Sequence, residues 1–535
     1  MIAKRIETLN KDQKTLFDHM INKYKGNYCF PTGVGKGYVF ITHILWEMEM
    51  QNKDIFAIAS HRLLLNSQHL EDLFKSSIEN EIYNVSFIFV GSDMPNVNKI
   101  YNKYKNEEYI NFLKEKSFSK NDIFLQATST NKVDSKVEHL KKIGQKIILI
   151  TTYNSMGKLK NVNIDNMYFD EAHVLASNKE ASEFRNNFET LTENNDFNRY
   201  FFSATPKDCI ETVDGFLMNN IDIFGERLGM TFRDAVDKNY ITKPIIHTVR
   251  PENLVEHDNG NIESKARFVR ETFEKHKKFI IEKSRCPEKI APKLLIKCKS
   301  VDEMWELYEQ LISEMNDSIF ICAGASRGQD DSPADSHKIN DNNGKNWSNL
   351  ERDEYLKKIK DLNPENEAII LHFDILSEGL NVSGFTGVML FDLLTLTKMV
   401  QNIGRATRLH PEDRKDVFDG NIRDKIKPYC SVIIPYWNSE TSTSKEVLSN
   451  RIIELRDKYG FTYEMVGYGD DTGESDTNSI EGINKKDNDR KKDCYIDDDL
   501  KHMIEEIDIN KEKELEQEKL NKMEGLEFLK YIKNK

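Results

Sequence analysis

A chain of 535 residues with 38% hydrophobic and 10% aromatic content has enough apolar material for about two to four packed domains. Its 31% charged fraction, and the lack of an uninterrupted apolar run near the roughly 20 residues a bilayer helix needs, exclude a helical membrane protein. The net charge of -13 argues against a protein that coats nucleic acid nonspecifically, although a local basic groove remains compatible with it.

The start, Met1-Ile2-Ala3-Lys4-Arg5, runs into polar sequence without an apolar signal core, so a cytoplasmic protein is expected. The seven cysteines stand apart, at 29, 209, 286, 298, 322, 430 and 494, and form no Cys-x-x-Cys pair. Reduced thiols are therefore expected, with neither a disulfide framework nor a zinc module. The abundance of Asn, Lys and Ile points to an AT-rich source such as a phage, a virus or a low-GC bacterium.

In chain order, Tyr28-Cys29-Phe30 reads as a strand leading into a glycine loop, and Tyr38 to Met50 as the helix after it. Ile55 to Ala59, Val85 to Val90, Lys146 to Ile150, Met167 to Phe169 and Tyr200 to Phe202 read as further strands. Short continuous apolar runs separated by helices predict a parallel sheet covered on both faces. A second α/β unit starts in the low 240s, with strands at Lys293–Cys298, Ser318–Cys322, Ala368–His372, Gly387–Phe391 and Ser431–Pro435. Ala325 to Asn349, rich in Ser, Asp, Asn and Gly, is expected to be a surface loop. Ser444 to Tyr459 reads as one more helix, stopped by Gly460, followed by a polar linker and a helix-spaced tail.

Three stretches carry chemistry. In Thr32-Gly33-Val34-Gly35-Lys36-Gly37-Tyr38, set between strand and helix, the glycines let backbone N–H groups turn toward phosphates, and Lys36 reaches the β and γ phosphates. Asp170 and Glu171 follow an apolar strand, so that one carboxylate can enter a magnesium shell and the other can polarise attacking water. Gln401-Asn402-Ile403-Gly404-Arg405-Ala406-Thr407-Arg408 spaces two arginines three apart, on one helical face, where guanidinium charge can spread over transferring phosphoryl oxygens.

Together and in this order, these stretches resemble the superfamily 2 helicases and nucleic-acid translocases of DEAH-box type. The resemblance covers about residues 8 to 437. It implies two tandem RecA-like α/β domains, parallel sheets flanked by helices, with ATP between them and a nucleic-acid strand across their top, plus a charged, partly helical C-terminal tail. The boundaries expected are 1–215 and 246–440 for the domains and 216–245 for a linker. An accessory helix at 441–466 and a tail at 467–535 that can dock a protein partner complete the chain.

The resemblance also assigns roles. Gln13 reads the adenine edge. His173, Ser203 and Thr205 couple the nucleotide site to the nucleic acid, with Glu378, Gly379 and Asn381 of the second domain. His61, Arg62, Gln68, Thr151 and Thr152 grip the sugar-phosphate backbone. Thr231 to Ile241 resembles the inter-lobe segment of DNA-directed members, the restriction-type translocases and phage branch-migration helicases, which favours DNA over RNA. Gly37 departs from the pattern, because a Ser or Thr there normally ligates magnesium. Either Asp170 and water hold the metal, or the site binds nucleotide and hydrolyses slowly. The activity expected is that of an ATP-dependent DNA helicase or duplex translocase; the alternatives are an RNA helicase and, because of Gly37, a nucleotide-binding scaffold or switch with little hydrolysis.

Overall fold

The computed structural model describes residues 2–61, 63–92, 96–176, 183–207, 216–249, 261–316, 318–325, 339–341, 346–347, 359, 361–373, 384–391, 394–418, 424–435 and 442–461. Arg62, the Glu378-Gly379-Asn381 group and the 467–535 tail lie outside these described residues. The chain forms two compact units whose main division falls between Ile241 and Thr242.

The first unit is built on eight strands: β1 (Lys25–Cys29), β2 (Ile55–Ser60), β3 (Val85–Val90), β4 (Phe124–Ala127), β5 (Lys146–Thr152), β6 (Asn166–Asp170), β7 (Asn198–Ser203) and β8 (Glu226–Gly229). Their order across the sheet is β4-β3-β5-β2-β6-β7-β1-β8, and every neighbouring pair is parallel. Every residue of β2 and β3 is buried, as expected for strands covered on both faces. Along β6 the alternation sends Phe169 to one face, stacked on Phe201 at 4.6 Å, and Tyr168 to the other, stacked on Tyr200 at 5.3 Å. Two strands escape the apolar pattern. β4 is interrupted by half-buried Gln126, and β8 is a polar edge strand, Glu226-Arg227-Leu228-Gly229. The stretch 216–245 holds the helix Ile221–Phe224, β8, the helix Phe232–Asp237 and the start of the next strand.

The second unit contains β9 (Lys243–Val249), β10 (Lys293–Lys297), β11 (Phe320–Ala325), β12 (Ile339–Asp341), β13 (Asn346–Trp347), β14 (Ala368–Phe373), β15 (Gly387–Leu390) and β16 (Tyr429–Pro435). The sheet order is β13-β12-β11-β14-β10-β15-β16-β9. The six strands from β11 to β9 are parallel, whereas β12 and β13 add antiparallel pairs at one edge. The loop expected over Ala325 to Asn349 thus contains two short strands. Their ladder bonds are main-chain, so polar composition does not forbid them at an edge.

The long helix Ile262–Lys283 is tied to this sheet by buried His276. Its Nδ1 lies 3.0 Å from Ser431 Oγ on β16 and its Nε2 2.8 Å from Thr386 Oγ1 before β15. The helix Ser442–Tyr459 ends as expected at Gly460, whose φ of 72° lets its N–H cap the Arg456 carbonyl at 3.0 Å. Cys29, Cys286, Cys298, Cys322 and Cys430 are free thiols. Among the described residues, no helix is long and apolar enough to cross a membrane.

Candidate functional site

A parallel sheet brings all its strand ends of one sense to one edge, and the first unit uses this edge for nearly every motif. Register pairs Ser60 with Thr152, Asp170 with Phe202, and Cys29 with Ser203. The carboxyl ends of β5, β2, β6, β7 and β1 therefore present, side by side, Thr152, Ser60, Asp170, Ser203 and the glycine loop.

The loop after β1 turns through Gly33 (φ 96°) and Gly35 (φ 97°), both left-handed, and Gly35 caps the helix Lys36–Met50. Among the described residues no side chain caps that helix, and its N-terminus faces the loop, the end of a helix that favours an anion. Lys36 Nζ donates to the carbonyls of Phe30 (2.7 Å) and Pro31 (3.4 Å), folding the half-buried side chain over the loop. Gln13 braces the loop from outside, its Nε2 donating to Val34 O at 2.9 Å. Its Oε1 accepts from Asn10 N at 3.1 Å in the capping box that starts the helix Lys11–Asn22. Tyr38 faces the N-terminal helix, with the Arg5 guanidinium 4.1 Å above its ring and its hydroxyl 2.8 Å from Thr8 Oγ1. Thr32 is half-buried on the loop, and a Cβ at Gly37 would meet only the Phe40 ring at 3.8 Å, an ordinary contact.

Both oxygens of Asp170 are held: Oδ2 lies 3.0 Å from His69 Nε2, and Oδ1 accepts from Glu171 N at 3.1 Å. Burial by itself would raise this carboxyl's pKa. The His69 hydrogen bond and charge, the Lys36 charge and the Glu171 N–H outweigh burial and keep it below the usual carboxylate range. Tyr153, from the loop after β5, donates its hydroxyl to the Asp170 carbonyl at 2.7 Å. Glu171 sits in the left-handed region (φ 53°, ψ 46°), a strained placement for a long side chain. Its Oε2 is buried, 3.3 Å from His173 Nδ1, and has no hydrogen-bond donor among the described residues. His173 Nδ1 also lies 3.1 Å from Ser203 Oγ, which accepts from Thr205 N at 3.0 Å. A continuous polar path thus runs from Glu171 through His173 and Ser203 to Thr205.

The backbone-gripping candidates are less uniform. Thr152 and His61 are half-buried, but Thr151 is fully buried and its hydroxyl turns to the carbonyls of Thr152 (3.2 Å) and Val90 (3.4 Å). Gln68 lies half-buried on the helix Leu63–Glu79. The segment Thr231 to Ile241 belongs to the first unit. Thr231 and Asp234 form a capping box there, and Lys238 Nζ and the Tyr240 hydroxyl both bind Asp12 at 2.7 Å, on the helix that carries Gln13.

In the second unit, Gln401 and Arg405 are buried on the helix Leu396–Ala406. Arg405 lies close enough to His372, at the end of β14, for its charge to act there: burial first, then Lys297 and Arg405, push the His372 imidazole well below its usual pKa. The expected single helical face for both arginines does not hold. The helix ends at Ala406 with Thr407 as its cap, leaving Arg408 beyond it. Lys427 replaces the missing turn: its buried Nζ donates to the carbonyls of Ala406 and Arg408, each at 2.6 Å. Neither Lys427 nor His69 stands in a motif, and no local signal marks either one.

No family profile matches the chain, and no curated protein does. Solved structures do. The ATP-dependent Type ISP restriction-modification enzyme LlaBIII bound to DNA superposes with a TM-score of 0.55 at 15% identity, over 85% of this chain and 30% of that enzyme. The chain has a tandem RecA-like α/β fold. The DUF1998 helicase MrfA bound to DNA and AMPPNP (TM-score 0.49, 12% identity, 85% of this chain and 52% of that one) is also similar. So is the DEAD-box helicase Mss116 bound to ssRNA and UDP-BeF (0.47, 15%, 85% and 84%). This RecA-like chain spans only 30% of the length of the restriction-modification enzyme, whose activity as a whole belongs to that larger protein.

Proposed function

We propose that the chain is an ATP-hydrolysing nucleic-acid motor of the superfamily 2 type, a DNA helicase or duplex translocase. One observation carries this reading: Lys36, Asp170, Glu171, His173 and Ser203 meet along one strand-end edge, with the charge of Lys36 acting on Asp170.

In turnover, the loop N–H groups and Lys36 hold the phosphates, the lysine exchanging the carbonyls of Phe30 and Pro31 for phosphate oxygens. Glu171 Oε2, which has no hydrogen-bond donor among the described residues, accepts a hydrogen bond from the attacking water and orients it. The path from His173 through Ser203 to Thr205 carries the change at the γ-phosphate away from the nucleotide. Arg405 and Arg408 of the second unit are the arginines proposed to stabilise the developing charge.

The residues fit magnesium. The ion takes oxygen ligands, keeps several waters and is commonly held by one or two carboxylates together with substrate phosphates. Asp170 is ionised, and each of its oxygens, holding one hydrogen bond, retains a further lone pair. Bound there, magnesium supplies Lewis-acid polarisation of the phosphoryl oxygens.

DNA is favoured by the resemblance of Thr231 to Ile241 to the DNA-directed branch, and by the DNA-bound restriction-modification enzyme of similar fold. Phosphate release should be measured with duplex DNA, single-stranded DNA and RNA, for wild type and Glu171→Gln. The expected result is stimulation by DNA that the variant loses. Greater stimulation by RNA would make the chain an RNA helicase. The absence of a hydroxyl at Gly37 favours a second reading, a nucleotide-binding switch. Binding of an ATP analogue without nucleic-acid-stimulated release would select it.

A further inference from the structure

We infer that His69 is a positioning residue of the nucleotide site, holding the Asp170 carboxylate in a single orientation. The inference rests on the proposed nucleotide reading. His69 lies on the second turn of the helix Leu63–Glu79, directly after β2. β2 pairs with β6, which brings the early turns of this helix beside the end of β6, 101 residues further along the chain.

The neighbouring residues Leu65, Leu70, Leu73 and Phe74 are apolar and buried, so packing alone would be served by an apolar side chain at 69. The imidazole instead places Nε2 3.0 Å from Asp170 Oδ2 while only 7% exposed. The Phe40 ring meets it edge-on, with centroids 5.3 Å apart at 65°, and restricts its rotation. An ionised carboxylate only accepts, so Nε2 carries the hydrogen and donates it.

Glu171 N binds the other oxygen, at 3.1 Å, so the carboxylate cannot swing about its last torsion without breaking one of two bonds. A carboxylate ordered in advance loses less conformational freedom when it takes a ligand. Partners that orient ligating groups in this way typically change metal affinity or activity by about 10–100-fold when removed.

The test uses the full chain, with Mn2+ as the probe, titrated by electron paramagnetic resonance against the complex with a non-hydrolysable ATP analogue. His69→Leu should weaken Mn2+ binding by about 10–100-fold and lower kcat while KM for ATP changes little. His69→Gln, whose amide can replace the Nε2–H donor, should recover most of both. In an Asp170→Asn background, His69→Leu should change nothing further. Thermal unfolding checks the fold, and His69→Asn, too short to span the contact, takes the place of the leucine variant if that one does not fold. Wild-type Mn2+ affinity and kcat in His69→Leu, or an equal loss in the Asp170→Asn background, overturns the inference alone. A wild-type chain that takes up no Mn2+–nucleotide overturns the nucleotide reading, and the inference with it.

Discussion

The Gln13 side chain donates from Nε2 to the Val34 carbonyl across 2.9 Å, so the residue expected to meet a base also holds the phosphate loop. Its Oε1 is engaged at the same time by Asn10 N in the capping box. The two ends of one amide thus join the start of the helix Lys11–Asn22 to the crest of the glycine loop.

Gln13→Ala should therefore lose both contacts. A fall of about 1 kcal/mol in stability is expected from the broken cap, with weaker binding of an ATP analogue, on the order of tenfold if one anchoring hydrogen bond is lost. Gln13→Glu retains the acceptor for Asn10 but has no hydrogen for Val34. It should keep the stability and still lose affinity. Thermal unfolding and a fluorescence titration separate the two effects.

The glycines of the loop should respond differently to substitution. At Gly35 the backbone has φ 97°, and an added Cβ would lie 2.5 Å from Gln13 Nε2, so Gly35→Ala should cost about 1–2 kcal/mol through backbone strain and displace the Gln13 brace. Gly37 has no such constraint, its Cβ position meeting only the Phe40 ring at 3.8 Å. Gly37→Ser should fold normally and, on the proposed reading, raise magnesium-dependent phosphate release. Denaturation midpoints and steady-state turnover of the two variants test the contrast.

Acid should destabilise both units through buried histidines. His276 is pushed down to about 3 by burial first, then by the charges of His247 and Lys427. His43, on the buried face of the helix Lys36–Met50, is likewise pushed down to about 3, by burial and then Lys53. The folded state keeps each imidazole neutral, whereas the unfolded chain protonates it below about pH 6.5. Their contribution is complete above pH 6.5 and is lost as the pH falls toward 3, of order 4–5 kcal/mol for a fully buried group. Urea midpoints measured from pH 7 to pH 4 should fall steadily. His276→Gln, which does not titrate there, should flatten that slope for the second unit.

What the sequence determined by itself was the local part of the molecule. β2, β3, β5, β6 and β7 were legible because a parallel strand buried on both faces is an unbroken apolar run; Asp170 and Ser203 were legible because each adjoins such a run, and Lys36 because it closes a glycine loop between strand and helix. β4, β8, β12 and β13 were not, since short or edge strands are held by main-chain pairing that imposes little side-chain pattern. The partners were decided by tertiary structure alone. His69 meets Asp170 because β2 lies beside β6, and Lys427 closes the turn holding Arg408 because the segment before β16 returns to the end of that helix. Local composition reports which residues are buried. Which of them touch across a hundred residues depends on the order of strands in the sheet, and that order is settled only when the whole sheet assembles.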